Sequence, residues 1–497
     1  MLNYIRLKLS TKNIIILLIL IVYCFLSIKL SLYKSIWRDE AFSSLLSQQN
    51  IIEIIKSTSL DYNPPLFYIL LHIWQKFFGL FPVWQRLLPL LFSVLTIVSI
   101  YHSLPKLFKL NHTLFKYLLL FFLVSNGSIF YYSYELRPYS MLMFLAYLCL
   151  YWVYKYTNQP TNRNRNLFIV SSIALLYTQT LGIFWFAIVF CGLTLSLIFL
   201  KKFDALKKIL LASLIIFSLY IPWLFIILHQ YQQFAGSFWL EFKPAEKLYN
   251  LSALFAFNEG PLHFELGFYK IIYQNLYYLL ITVLIFGFLK KGFIRLTSFS
   301  ITLGLVFLYY ISYYKPLFYG RYFVFLAPMV SILEAYMAYY LISKITNKNY
   351  QKIIKLTLFN FLGLFYLFNM YYLWSDYFLG VSRVDYSLIK NVNTDSLYTT
   401  SDLDIMSCMI YHPNCYFVKS HHEIKNYTGI LQLQQKPILN SWENISGDNI
   451  GIIFRNDEYQ DIENTILDQG YSQNDFVSLG DNTYLSILTK QPLNIYN

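Results

Sequence analysis

A polytopic α-helical membrane protein with a small C-terminal α/β domain outside the membrane is the fold class the sequence predicts, and three observations carry it. The 497 residues are 57% hydrophobic and only 13% charged, with a mean hydropathy of +0.46, outside the range of soluble domains. Apolar runs of membrane-spanning length recur from residue 13 to residue 374, separated by small clusters of Lys and Arg. From Asp376 the composition turns to 15 acidic against 7 basic residues with short alternating apolar patches. The formal charge of +13 is scattered among the clusters rather than gathered in one basic domain, so it reads as a topology signal and not as a nucleic-acid surface. The 46 Tyr and 44 Phe accompany abundant Ile, Asn and Lys, and they read as compositional bias before they read as interfacial belts.

Taken in order, the apolar runs fall at 13–33, 86–104, 113–131, 138–155, 167–181, 182–200, 209–229, 268–289, 297–314, 322–342 and 353–374, eleven expected spans. The first follows Arg6, Lys8 and Lys12 without a small-residue cleavage site, the pattern of a signal anchor. Six basic clusters, at residues 6–12, 106–116, 155–165, 201–208, 290–295 and 344–355, are expected on the cytoplasmic side. Even spacing of spans between them makes Leu66 to Leu80 an outer interfacial helix, about one turn too short to cross, and splits Leu167 to Leu200 into a hairpin near Gln179 to Gly182. The acids agree with this topology: Asp39, Glu40, Glu53, Asp61, Glu135, Glu241, Glu246, Glu259 and Glu265 fall outside, and only Asp204 inside. Glu334 lies within a span, as a buried functional carboxylate or as a protonated or partnered group facing another helix.

The chain divides into a transmembrane domain over 1–375 and an extracytoplasmic α/β domain over 376–497, with strand-like patches at Gly451–Phe454 and Tyr484–Leu488. Cys24, Cys149 and Cys191 sit in apolar segments as small core residues. Cys408, His412, Cys415, His421 and His422 have zinc-type side chains, but their spacing fits no common finger; a disulfide between Cys408 and Cys415, or two unrelated buried thiols, are the alternatives. The sequons at Asn250, Asn426 and Asn444 occur by chance in an Asn-rich chain.

Two adjacent carboxylates at a membrane exit are costly, and Trp37-Arg38-Asp39-Glu40-Ala41-Phe42 places them there. Asp61-Tyr62-Asn63-Pro64-Pro65 follows, and Glu135, Arg137 and Arg321 share the same outer boundary. A carboxylate there suits deprotonation of a hydroxyl nucleophile, and a guanidinium suits bidentate capture of a phosphate leaving group. Each residue also has a plainer reading. Asp39 and Glu40 suit the amino terminus of a helix starting near Ala41, Arg137 and Arg321 suit interfacial anchors, and Pro64-Pro65 suits a helix start. The outer loop from His229 to Gly267, with Trp239, Glu241, Glu259 and His263, is either a cover that selects the acceptor or an ordinary interfacial loop.

Trp37–Phe42, Asp61–His72 (Asp-Tyr-Asn-Pro-Pro-Leu-Phe-Tyr-Ile-Leu-Leu-His), Ser133–Ser140 (Ser-Tyr-Glu-Leu-Arg-Pro-Tyr-Ser) and Gly320–Phe323 (Gly-Arg-Tyr-Phe) stand in the order seen in the GT-C glycosyltransferase superfamily. Over residues 1 to about 375 the chain resembles its protein mannosyltransferase and lipid A aminoarabinose transferase branch, especially the bacterial enzymes that decorate envelope glycans. The resemblance implies a GT-C fold and inverting transfer of a monosaccharide from a polyprenyl-phosphate donor to an envelope glycan, lipid or protein. It implies that Asp39 is the general base, with Glu40 orienting it or raising its pKa by like-charge repulsion. Asp61, Pro64 and Pro65 would shape the donor pocket. Arg137 and Arg321 would bind donor phosphate, with Glu135 holding Arg137 and with Tyr139 and Tyr322 in the same substrate-binding set. A divalent cation on Asp39 and Glu135 is the cofactor some relatives suggest. Asn63 and Gln179 stand where relatives carry His, which removes any role resting on those imidazoles.

The expected location is a bacterial plasma membrane, with membrane lipids around the spans. Two rivals differ in kind: a lipid-linked glycan transporter, which calls for charged groups lining a path through the spans, and a catalytically inactive envelope assembly protein.

Overall fold

A computed structural model describes residues 11–61, 63–109, 112–233, 248–255, 267–314, 317–378, 384–401, 404–419, 433, 438–455, 466–480 and 482–491. The Trp239, Glu241, Glu259 and His263 segment, and His421 with His422, lie outside the described residues. The first helix, α1 (Thr11–Tyr33), is apolar on all sides and leaves Leu18, Ile21 and Phe25 more than half exposed, the mark of a face made for lipid. Between α1 and the next long helix come α2 (Arg38–Gln48), α3 (Ile51–Ser59) and α4 (Leu66–Phe78). Then follow α5 (Pro82–Leu107), α6 (Thr113–Ser125), α7 (Gly127–Tyr131), α8 (Tyr139–Asn158), α9 (Asn162–Thr178), α10 (Leu181–Phe199) and α11 (Phe203–Gln233). The helical part closes with α12 (Gly267–Phe288), α13 (Phe293–Ile311), α14 (Gly320–Phe323), α15 (Ala327–Ser343) and α16 (Lys348–Phe378).

All the expected apolar runs are helical, and the chain is a multi-pass membrane protein. Among the described residues, six helical segments are long and apolar enough to cross a bilayer by length and composition: those within α1, α5, α10, α11 and α13, and the stretch from Gly320 to Ser343. The run expected over 113–131 is not one straight helix. It breaks at Asn126, whose side-chain oxygen accepts from the backbone amides of Ser128 and Ile129 at 3.1 Å each and so starts a new helix. The segment between α1 and α5 likewise holds three short helices where the sequence suggested two, one starting near Ala41 and one over Leu66 to Leu80; the additional helix is α3, which Asn50 caps through the Glu53 amide at 3.0 Å. The central helix α8 is buried along most of its length, packed by α5 and α9.

The hairpin between α9 and α10 turns at Gln179 and Thr180, where the Gly182 amide donates to the Gln179 carbonyl at 2.8 Å. Gly182 has the only side chain that fits there, since a Cβ would stand 2.5 Å from the Leu175 carbonyl oxygen, a backbone atom that cannot swing aside.

Beyond α16 the chain forms a six-stranded sheet of order β3-β2-β1-β4-β6-β5 from β1 (Ser396–Thr399), β2 (Cys415–Val418), β3 (Ile438–Leu439), β4 (Asn449–Arg455), β5 (Tyr471–Gly480) and β6 (Thr483–Lys490). The first four of that order pair in parallel, and β6 runs antiparallel to both β4 and β5. The two patches read as strands pair directly, with Ile452 opposite Ser486. A short helix, α17 (Ile405–Tyr411), joins β1 to β2 and packs against α2. Cys408 and Cys415 form a disulfide across this junction, so of the alternatives the sequence left open the disulfide is the one present, and neither thiol is available to zinc. His412 contacts the Thr394 carbonyl at 3.2 Å instead.

Gly182→Ala is expected to destabilise the protein by about 1–3 kcal/mol through overpacking at the hairpin. Thermal unfolding in detergent checks this; an unchanged midpoint would remove the close approach from the account.

Candidate active site

One end of the helical bundle is organised by a buried ion pair. Glu40, in the first turn of α2, is 1% exposed and meets Arg86, near the start of α5, in a bidentate contact of 2.9 Å (Nε to Oε1) and 2.5 Å (Nη2 to Oε2). Arg86 also donates to the carbonyls of Ser31 at 2.9 Å, Lys34 at 2.6 Å and Ser35 at 3.0 Å, so each of its five N–H donors finds an acceptor. Glu40 Oε1 further accepts from the Leu136 amide at 2.7 Å. One pair thereby ties the exit of α1, the start of α2, the head of α5 and the loop before α8.

Asp39 is the neighbour of Glu40 in sequence but not in direction, because successive helical side chains diverge by about 100°. Its carboxylate meets three guanidiniums: Arg38 at 3.2 Å, Arg321 at 3.3 Å and Arg137 at 3.9 Å. Arg137 also donates to the Asp39 carbonyl at 3.1 Å and lies 3.4 Å from the Ser43 hydroxyl, while its buried Nε has no hydrogen-bond partner among the described residues. Arg321 lies over the rings of Trp37 (5.7 Å) and Tyr319 (5.4 Å) in cation–π geometry.

These contacts set the charge state. Burial pushes the Asp39 carboxyl up, but the charges of Arg137, Arg38 and Arg321 outweigh it and hold the group at about 2, below its ordinary 3.8. The expectation that Glu40 raises the Asp39 pKa is therefore corrected: the shift is downward, and Glu40 is committed to Arg86. Burial opposes the charge of Arg137, and Asp39 foremost, with Asp61 behind it, restores and strengthens it.

Asp61 sits at the end of α3, where the Asn63 amide donates to its carboxylate at 3.2 Å and Gln230 of α11 donates to the carbonyls of Thr58 (3.1 Å), Ser59 (3.0 Å) and Asp61. Pro64 and Pro65 are buried, and Pro65 precedes the first residue of α4. That start aims Tyr68, fully buried and edge-on to Phe42 at 6.1 Å, into electrostatic reach of Arg137, Asp61 and Asp39. Tyr139 and Tyr322 reach Arg137 and Arg321 in the same way. Glu135 is buried and meets Arg137 through its backbone carbonyl, 2.7 Å from the Arg137 amide.

The structure thus brings Asp39, Asp61, Arg137, Arg321, Tyr139 and Tyr322 together and turns Glu40 away. Arg38, Arg86, Tyr68, Ser43 and Gln230 join the cluster without having been singled out in the sequence. Arg38 lies inside the quoted motif, and Tyr68 follows the proline pair at helical spacing. Nothing local marked Arg86 or Gln230. A divalent cation does not fit this donor set, since three guanidiniums already crowd the Asp39 carboxylate, and among the described residues no group of three His, Cys, Asp or Glu is placed to hold a metal.

The C-terminal domain touches the site from outside. The Tyr411 hydroxyl on α17 accepts from the Ile36 amide at 2.7 Å, three residues before Asp39, and Ser35 donates to the Val384 carbonyl at 3.1 Å.

Solved structures of ArnT match nearly the whole chain. ArnT from Cupriavidus metallidurans in the apo state aligns with a TM-score of 0.60 and 11% identity over 96% of this chain and 98% of that one. ArnT from the same organism bound to undecaprenyl phosphate aligns at 0.63 and 11% over 95% and 97%. The chain has the fold of ArnT. No protein-family model matches the sequence, and a comparison with curated proteins finds no match. The likeness to ArnT runs through the C-terminal sheet as well, so the docked domain is part of the shared architecture and not an appendage.

Glu40→Gln leaves the Arg86 charge buried without its counter-charge, and a loss of about 3–5 kcal/mol is expected. Replacing both residues by apolar ones of similar size should recover much of it, as read from thermal midpoints. An unaltered midpoint for Glu40→Gln would contradict the stapling role. Because the folded Asp39 pKa is depressed, its contribution to stability is full above about pH 4 and is lost as pH falls towards about 2. Acid titration of the melting midpoint should show that loss in wild type and not in Asp39→Asn.

Proposed function

We propose that this protein is a membrane glycosyltransferase that moves a monosaccharide from a polyprenyl-phosphate donor to a hydroxyl of an envelope glycan, lipid or protein on the extracytoplasmic face of a bacterial plasma membrane. The observation that carries the reading is the Asp39 carboxylate held among Arg38, Arg137 and Arg321 at the outer end of the bundle. Three cations facing one anion leave positive charge over, which a phosphate group offsets, and the ArnT structure of the same fold was solved with undecaprenyl phosphate.

In this scheme the donor phosphate draws Arg137 and Arg321 towards itself. The unsatisfied Arg137 Nε supplies a further donor in the same guanidinium. As the arginines shift, Asp39 loses the charges that depress its proton affinity and becomes a better base. The acceptor O–H gives its proton to Asp39 as the new bond to the anomeric carbon forms. The anomeric carbon–phosphate oxygen bond breaks on the opposite face, and its electron pair leaves with polyprenyl phosphate. Configuration inverts in a single displacement. Asp61, Pro64, Pro65, Tyr139 and Tyr322 shape the donor side, and Tyr68 lines the same wall.

Release of polyprenyl phosphate from a panel of polyprenyl-phosphate sugars, with envelope glycans as acceptors, tests the reading. Wild type should release it from at least one donor and Asp39→Asn from none. Arg321→Met should lose about 10²–10³ in kcat, the cost of one electrostatic contact to developing charge. Folded, donor-binding wild type that turns over no donor would favour transport over transfer.

A further inference from the structure

Roughly 30 Å along α5 from the Arg86–Glu40 pair, at the other end of that helix, lies a second polar feature. A cavity of about 210 Å³ is lined by Tyr101, His102, Pro105, Lys106, Lys109 and Lys116. Its walls are the last turns of α5 and the first turn of α6. No carboxylate lines it, and none of the three lysines makes an ion pair with a described residue.

Ordinary helix electrostatics accounts for only one of these lysines. Lys106 sits in the last turn of α5, where a cation meets the carbonyl end of the helix dipole. Lys116 sits in the first turn of α6, the end that favours anions, and no acidic residue accompanies it. Lys109 adopts φ +53°, a left-handed conformation usually given to glycine, directly after α5. Tyr101 and His102 close one side with their rings edge to face at 5.1 Å. A topology signal needs basic residues near the membrane; it does not need them converging on a cavity against a helix dipole.

We infer that this cavity binds a phosphate group, supplied either by an acidic phospholipid headgroup at the membrane surface opposite the Asp39 site or by free phosphate. An anion there offsets Lys106, Lys109 and Lys116 together and accepts from the amino end of α6. The ends of α5 and the apolar α6 form the walls, so a headgroup enters with its acyl chains alongside the bundle.

The test uses the full chain, delipidated in detergent and titrated with phosphatidylglycerol or phosphatidylcholine, with bound lipid counted by native mass spectrometry. Wild type should retain phosphatidylglycerol at least about tenfold better than phosphatidylcholine, and Lys106→Gln/Lys116→Gln should lose that preference. Lys201→Gln/Lys202→Gln, a basic pair outside the cavity, should keep it. Displacement of the lipid by millimolar inorganic phosphate would assign the site to the phosphate group itself, and no displacement would assign it to the headgroup in its membrane setting. Retention by the Lys106/Lys116 variant, or equal loss in the Lys201/Lys202 control, would overturn the inference. Melting midpoints of both variants establish that they are folded.

Discussion

The buried pair between Glu40 and Arg86 is the contact on which the site end of the helical bundle depends. Burying two charges is expensive, and the expense is met here because every Arg86 donor and both Glu40 oxygens have partners. In return, one guanidinium fixes the chain where α1 stops, α2 starts and α5 enters. Asp39 follows from that fixation: with Glu40 turned inward, the preceding side chain faces Arg137 from the loop before α8 and Arg321 from α14. The Leu136 amide bond to Glu40 places Arg137 one residue later, so the same pair that anchors the helix also aims one of the cations.

The site has the character of an anion receptor closed on its own carboxylate. Arg38, Arg137 and Arg321 hold Asp39 far below its ordinary pKa, which keeps it ionised and makes it a weak base at rest. A phosphate entering among those arginines competes with Asp39 for them. Under the proposed function, donor binding and base activation become one event, and a base idle without donor has little tendency to promote hydrolysis or misdirected transfer. The docked C-terminal domain, through Tyr411 and Ile36, braces the segment that carries this exchange.

Much of this was legible in the sequence, and the exceptions have physical reasons. Apolar runs marked the helices. The carboxylates and arginines of the outer loops were legible because charge at a membrane edge is costly and therefore informative. Glu40 was misread as a partner of Asp39, since adjacency in sequence hides the divergence of adjacent helical side chains. Arg86 was hidden at the head of an apolar run, 46 residues from its partner, where an arginine reads as an interfacial anchor. The break at Asn126 was invisible to hydropathy, which does not weigh a capping amide inside an apolar stretch. The Cys408–Cys415 bridge stood among open alternatives because spacing alone cannot tell a disulfide from two buried thiols.

The competition between Asp39 and a donor phosphate for the same arginines is the central claim, and binding of polyprenyl phosphate to wild type and to Asp39→Asn, measured by calorimetry in detergent, tests it most directly. Freed of their internal carboxylate, the arginines of Asp39→Asn should bind polyprenyl phosphate several-fold more tightly than wild type does. Equal or weaker binding by the variant would show that Asp39 and the phosphate do not share those arginines.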